Sequence, residues 1–196
     1  HVIRDAAGHI TVEFPDGFKS VAQVAKTEKD WDLAALSLAR GVTLRLDGNT
    51  RIALAGIDRV VVERGAVYLD AGDQPATGPS VRIDTAFGST RHLGTQYEVR
   101  VLPAEMQVSV REGRVETAPD SGRTPVVAQS GEQVVIGTNG TVARTAVDRR
   151  DPRWNWIAEV TPPYSIEDRR LAEFLAWVCR ETGRELTFST PDAEVT

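Results

Sequence analysis

Apolar and polar residues alternate along most of this chain. Ile10, Val12 and Phe14 alternate with Thr11 and Glu13, and Val42, Leu44 and Leu46 with Thr43, Arg45 and Asp47. Tyr97, Val99 and Val101 alternate with Glu98 and Arg100, and Val108 and Val110 flank Ser109. A period of two predicts strands with one face buried and the other wet. Val60-Val61-Val62 and Val134-Val135-Ile136 are unbroken apolar runs, which predicts strands buried on both faces or crossing through the core. β-branched residues dominate these runs and suit a pleated surface. Residues 33–38 fit either a helix or a strand. The strand is favoured, because Arg40-Gly41 and then the Val42 strand follow as in a hairpin.

Glycine punctuates the pattern. Gly48, Gly65, Gly113 and Gly131 each stand between two apolar runs. The surrounding words are alike: Val62-Glu63-Arg64-Gly65-Ala66-Val67, Val110-Arg111-Glu112-Gly113-Arg114-Val115 and Gln129-Ser130-Gly131-Glu132-Gln133-Val134. Glycine serves where the backbone needs positive φ, so these positions are predicted turns or strand-to-strand corners. Asn139-Gly140 predicts a tight hairpin between Ile136 and Val142. The expected fold is mainly β, as a β-roll or sandwich, or as a short β-solenoid-like domain.

After Arg149 the pattern changes. Residues 1–148 read as the β-rich domain, 149–163 as a linker holding Trp154, Trp156 and Pro162-Pro163, and 164–196 as a small βαβ fragment. Two tryptophans at such a boundary are expected to pin the linker to the core. In the fragment a helix is predicted over 169–182. Asp168 is its expected N-cap, and Leu171, Phe174, Leu175 and Val178 form its apolar stripe. Gly183 is its stop, and Arg180 sits near the negative end of the dipole. Tyr164 to Ile166 and Leu186-Thr187-Phe188 are the predicted flanking strands.

Composition bounds the function. The chain has 196 residues, 41% hydrophobic and 26% charged, which excludes wholesale disorder. With 28 acidic and 23 basic residues the net charge is −5, which argues against a nucleic-acid-binding domain. One cysteine, Cys179, excludes an intramolecular disulfide framework and a cysteine-rich zinc site, and is expected to be a partly buried packing residue. No run approaches the ~18 apolar residues of a membrane span. The first residue is His1 and not Met, so the chain reads as a piece of a longer protein.

No phosphate loop, dinucleotide fingerprint, zinc helix or nucleophile elbow is present. His1, His9 and His92 lack metal-ligand spacing. His92 is expected in a turn leading to the Tyr97 strand. Asp70, Asp73, Glu112 and Glu116 are carboxylates of the kind glycoside hydrolysis needs, but acidic turn residues are expected on any β-domain. Asn139-Gly140-Thr141 matches a glycosylation acceptor and reads better as a turn. The expectation is no enzyme activity, no metal and no cofactor.

Several words together resemble the FecR family of bacterial envelope regulators. Val42 to Leu54, with Leu46-Asp47-Gly48-Asn49, is similar to the family's "leucine, aspartate-glycine-serine, leucine" hairpin. Val60 to Leu69 resembles its Gly-Glu-Ala-Tyr/Phe turn. Val81 to Thr85 followed by Leu93-Gly94-Thr95-Gln96-Tyr97-Glu98-Val99 resembles its strand and Leu-Gly-Thr-x-Phe-x-Val signature. Val108 to Val115 and Gly131-Glu132 resemble its later hairpin and closing Ala-Gly-Glu. The match runs from Arg40 to Val147. The tail, with Leu171 to Leu175 and Thr182-Gly183, resembles half of the short domain shared by secretins and TonB-dependent transporters.

The resemblance implies a periplasmic, non-enzymatic signal-relay domain, anchored by a single inner-membrane span outside these residues. Its implied partners are the signalling domain of an outer-membrane TonB-dependent transporter and, through a cytoplasmic region not in this chain, an extracytoplasmic-function sigma factor. An unpaired edge at Leu186, Thr187 and Phe188 is the expected partner interface. The alternative is an envelope β-domain that binds a glycan or peptide without sigma-factor control.

Overall fold

The structure, a computed structural model, describes residues 2–4, 9–13, 19–28, 33–38, 42–56, 58–72, 80–92, 94–161 and 164–187. One long antiparallel ribbon runs β1 (Val2–Arg4), β2 (His9–Glu13), β3 (Lys19–Glu28), β4 (Leu33–Ser37) and β5 (Thr43–Leu46). It continues through β7 (Arg59–Asp70), β10 (Gln96–Val101), β11 (Glu105–Glu112), β14 (Glu132–Gly137) and β15 (Val142–Ala146). A second layer holds β6 (Arg51–Gly56), β8 (Arg82–Thr85), β9 (Gly88–His92), β12 (Arg114–Pro119) and β13 (Val126–Gln129). β7 belongs to both layers. Its first half pairs with β6 and β8, and its second half with β5 and β10. The sheet is therefore one curled surface folded on itself.

Gly65 makes that fold possible. It sits inside β7 at φ 87, and a Cβ there would run into the Thr50 backbone. Thr50 Oγ1 completes the corner, accepting from Ala66 N and donating to Ala66 O, both at 3.0 Å. Gly113, between β11 and β12, and Gly131, between β13 and β14, stand at two further changes of layer. Gly48 departs from expectation, because the positive φ of its turn falls on Asn49 at φ 59. Asn tolerates this conformation, and Asp47 Oδ1 holds the turn by accepting from Gly48 N at 2.8 Å.

The core lies between the layers, with Val67, Leu69, Tyr97, Val99, Val108 and Val134 fully buried on one side and Ile83 and Val115 on the other. Residues 33–37 form the predicted strand, paired with β5. Asn139-Gly140 closes the β14–β15 hairpin, with Asn139 Oδ1 accepting from Thr141 N at 3.0 Å. The two valine-rich runs are not buried on both faces, although β7, which holds the first, does pass from one layer to the other. Val60, Val62, Val134 and Ile136 are buried, whereas Val61 and Val135 are half-buried, so the runs keep the two-residue alternation. Among the described residues no helix lies between 42 and 142.

Within the predicted linker, residues 152–159 are helical. A 3-10 turn, Pro152–Trp154, is capped by Asp151, whose Oδ1 accepts from Arg153 N at 2.9 Å. Helix α1 (Asn155–Glu159) follows. Trp154, Ile157 and Val160 are buried. Helix α2 (Leu171–Thr182) ends at Gly183, at φ 69, as expected. Its start does not follow the expectation. Arg170 is the N-cap and provides no side-chain cap, while Asp168 lies in a preceding turn at φ 58, a region Asp tolerates.

The βαβ fragment is corrected too. Residues 164–166 and 184–187 are not strands, and Phe188 lies outside the described residues. Such short segments need a ladder neighbour, and the described chain offers none. Tyr164 instead joins Phe174 and Trp177 in an aromatic trio, with ring centroids 5.1–5.9 Å apart.

Candidate functional site

The outer face of the long ribbon should be wet by alternation alone. It is instead a buried polar surface covered by residues 149–161 and the end of α2. Arg45, Tyr68, Asp70, Gln96, Glu98, Ser109 and Arg111 project from β5, β7, β10 and β11 and are all buried. Cross-strand register groups them, with Arg45 opposite Tyr68, Tyr68 opposite Glu98, and Asp70 opposite Gln96.

Two ion pairs clamp α2 to this face. Arg45, 2% exposed, donates from Nη1 and Nη2 to the two carboxylate oxygens of Glu181 at 2.7 and 2.8 Å. Its Nη1 also reaches Thr161 Oγ1 at 3.0 Å and Ile157 O at 3.3 Å. Its guanidinium stands 5.6 Å from the Tyr68 ring centroid. One residue earlier on α2, Arg180 pairs with Asp70, its Nε donating to Oδ2 at 3.2 Å. Gln96 Nε2 and Gly72 N donate to the same carboxylate, each at 2.9 Å.

Electrostatics follow from the geometry. Burial pushes the Asp70 carboxyl up, but Arg180, and then the Gln96 and Gly72 donors, outweigh it and hold the group below the usual carboxylate range. Burial disfavours the Arg45 cation, yet Glu181 more than offsets this and raises its pKa. Burial pushes the Tyr68 hydroxyl well above its ordinary value.

The α1 segment is pinned in the same style. Trp154 Nε1 donates to Asp148 O at 2.8 Å, and the Trp154 ring meets Tyr68 edge-on at 6.1 Å. Trp156 Nε1 donates to Glu98 Oε1 at 3.2 Å, which also accepts from Arg100 at 2.8 Å. Arg153 Nη1 donates to Ser109 Oγ at 3.1 Å. Gly183 packs so closely on the Arg149 carbonyl that a Cβ would collide with it.

The apolar stripe of α2 has the opposite fate. No residue of the helix is fully buried, and Leu171 is 62% exposed. Ile166 and Leu186 are exposed nearby. The helix is therefore held to the sheet by charge, with Leu171 exposed and Phe174, Leu175 and Val178 half-buried.

The residues singled out from sequence scatter around this site. Leu186 and Thr187 are exposed just past the α2 stop, outside any strand. His92 ends β9, not a turn, and is buried. Its Nε2 accepts from Val81 N at 3.1 Å, and burial lowers its pKa. Among the four carboxylates, Asp70 is the clamp residue and Glu112 lies 3.4 Å from Arg149. Glu116 is exposed, and Asp73 lies outside the described residues. Cys179 is half-buried. Among the described residues no group of three His, Cys, Asp or Glu side chains is placed to hold a metal. Sequence reasoning missed Arg45, Glu181 and the Arg180–Asp70 pair, because their signal is visible only once α2 is laid on the sheet.

Known proteins add the following. Two crystal structures of a candidate anti-sigma factor from Parabacteroides distasonis ATCC 8503 are similar to the chain. One has 18% identity, covers 95% of each chain and has a TM-score of 0.45. The other has 19% identity, covers 96% of this chain and 95% of its own, and has a TM-score of 0.41. No curated protein matches. At TM-scores this low the structural likeness is weak, so the assignment rests on the family match. The model of the FecR protein matches residues 23–116, a span that runs from β3 through β12 and includes Arg45, Asp70, Gln96 and Glu98 on the clamped face. Over residues 23–116 the chain is similar to the FecR family.

Proposed function

We propose that the chain is the periplasmic signal-relay part of a transmembrane regulator of an extracytoplasmic-function sigma factor. The signalling domain of an outer-membrane TonB-dependent transporter would supply the signal. The FecR match supports the sigma-factor role, and no catalytic step belongs to this reading. One observation carries the relay. Helix α2 is fastened by Arg45–Glu181 and Asp70–Arg180 while Leu171, at the start of its apolar stripe, is exposed and Phe174, Leu175 and Val178 are only half-buried. A partner gripping the stripe pulls on a unit whose attachment is discrete, because a buried ion pair is either made or broken.

The partner surface in this proposal is Leu171 and its neighbours on the stripe, continued by Leu186, Thr187 and Phe188, onto which a partner strand adds by main-chain hydrogen bonds. Calorimetry between the chain and the cognate transporter's signalling domain tests it. Leu171→Asp and Thr187→Pro should each weaken binding at least about tenfold. Parent-like affinity in both folded variants refutes the surface. An alkaline phosphatase fusion to the full-length protein tests the compartment, and an inactive reporter refutes the periplasmic placement.

A further inference from the structure

At the far end of the curled sheet four turns converge. β10 leads there, starting at Gln96 beside the clamp and ending at Val101 beside Gly65. The β8–β9, β10–β11, β12–β13 and β14–β15 turns enclose an open cavity of about 440 Å³. That is within the ~300–1,000 Å³ range of small-ligand sites.

The cavity walls are fixed by backbone bonds between turns. Asp120 N donates to Phe87 O and Thr138 N to Ala104 O, each at 3.0 Å. The polar side chains have no such ties. Within the described chain, Asp120, Ser121 and Thr138 make no side-chain hydrogen bond or ion pair, although all three line the cavity. Phe87 lines it too, half-buried and packed against the core. Arg123 stands at the same rim, its Nε 3.3 Å from the place a Cβ on Gly140 would take.

These groups select a ligand class. The Asp120 carboxylate disfavours an anion and the Arg123 guanidinium disfavours a cation, so the rim suits a neutral molecule. Unpaired acceptors and donors beside an aromatic ring suit a molecule with many hydroxyls and one apolar face. We propose that this cavity binds a neutral saccharide of one or two hexose rings, seated on Phe87 with its hydroxyls bonded to Asp120, Ser121 and Thr138. The site does not depend on the relay proposed above, which uses the opposite end of the sheet.

Titrating the ¹⁵N-labelled chain separately with maltotetraose, cellotetraose and tetra-N-acetylchitotetraose tests the proposal, with inorganic phosphate and free lysine as charged probes. At least one saccharide should shift the amides of Phe87, Asp120, Ser121 and Thr138 saturably, and the charged probes should not. Asp120 is exposed and unpaired, so Asp120→Ala should keep the parent's melting temperature and weaken binding about tenfold, the loss of one charge-assisted hydrogen bond. Phe87→Leu keeps the apolar volume, removes the ring face and should weaken binding as well. The proposal fails if none of the three saccharides shifts these amides. It also fails if Asp120→Ala binds as tightly as the parent, or if phosphate or lysine shifts the same amides more strongly.

Discussion

Replacing Glu181 with Ala tests the clamp most directly. The change leaves Arg45 at 2% exposure without the two charge-assisted bonds at 2.7 and 2.8 Å. Thr161 Oγ1 and Ile157 O remain as partners but carry no countercharge. Breaking a buried pair by removing one member costs about 3–5 kcal/mol, because a charge stays buried and uncompensated. If α2 opens as a unit, about 3 kcal/mol lowers the protection of its amides roughly a hundredfold. Hydrogen exchange read by mass spectrometry should show that loss across 171–182 and little change in β7, β10 and β11. The double variant Arg45→Met with Glu181→Met supplies the comparison. It removes both charges and fills similar volume, so α2 should regain most of its protection. The reasoning is refuted if Glu181→Ala leaves α2 protected, or if the double variant opens as much as the single one.

Three further outcomes follow from the same structure. Asp70 has a folded pKa below its ordinary value, so the unfolded chain binds the proton more readily. Its contribution to stability is complete above about pH 5 and is lost as pH falls through the carboxylate range. Urea melts from pH 6 downward should therefore show a shallower acid loss for Asp70→Asn than for the parent, and equal slopes would contradict the assignment. His92 also has a lowered folded pKa, so its neutral form is favoured on folding and stability should begin to fall as pH drops below about 6.5. His92→Gln, which keeps an acceptor for Val81 N, should flatten that segment of the curve in thermal melts. Gly65→Ala forces positive φ on a β-carbon that also meets the Thr50 backbone, and should cost more than about 2 kcal/mol or abolish folding, read by circular dichroism.

How far the sequence was legible depends on how local each signal is. Strand alternation, the Asn139-Gly140 hairpin and the corners at Gly65, Gly113 and Gly131 are set by neighbours one to three residues away, and they match the structure. The N-cap failed for a local reason as well: Asp168 satisfied the composition rule, but the chain turns through it at φ 58 and starts the helix at Leu171. The site failed for a non-local reason. Arg45 between Leu44 and Leu46 looks like any wet-face residue, and nothing within ten positions marks it as buried. Its partner is 136 residues away. Alternation separates two faces but does not say which element covers the second one.

The choice of charge over apolar packing at this contact has a physical consequence. Buried ion pairs add little net stability over well-packed hydrophobic residues, so strength alone does not explain Arg45–Glu181 and Asp70–Arg180. They specify position instead. The sheet offers one base on β5 and one acid on β7, and α2 answers with an acid and a base at consecutive positions. A placement that set Glu181 against Asp70, or Arg180 against Arg45, would bury like charges. An apolar helix sliding on an apolar face has many near-equal positions, whereas the paired charges here favour a single seat. In the relay proposed above, an external partner shifts the equilibrium between docked and undocked α2 only by its difference in affinity for the two states, and exposed Leu171 with the half-buried stripe behind it is the proposed surface for that difference.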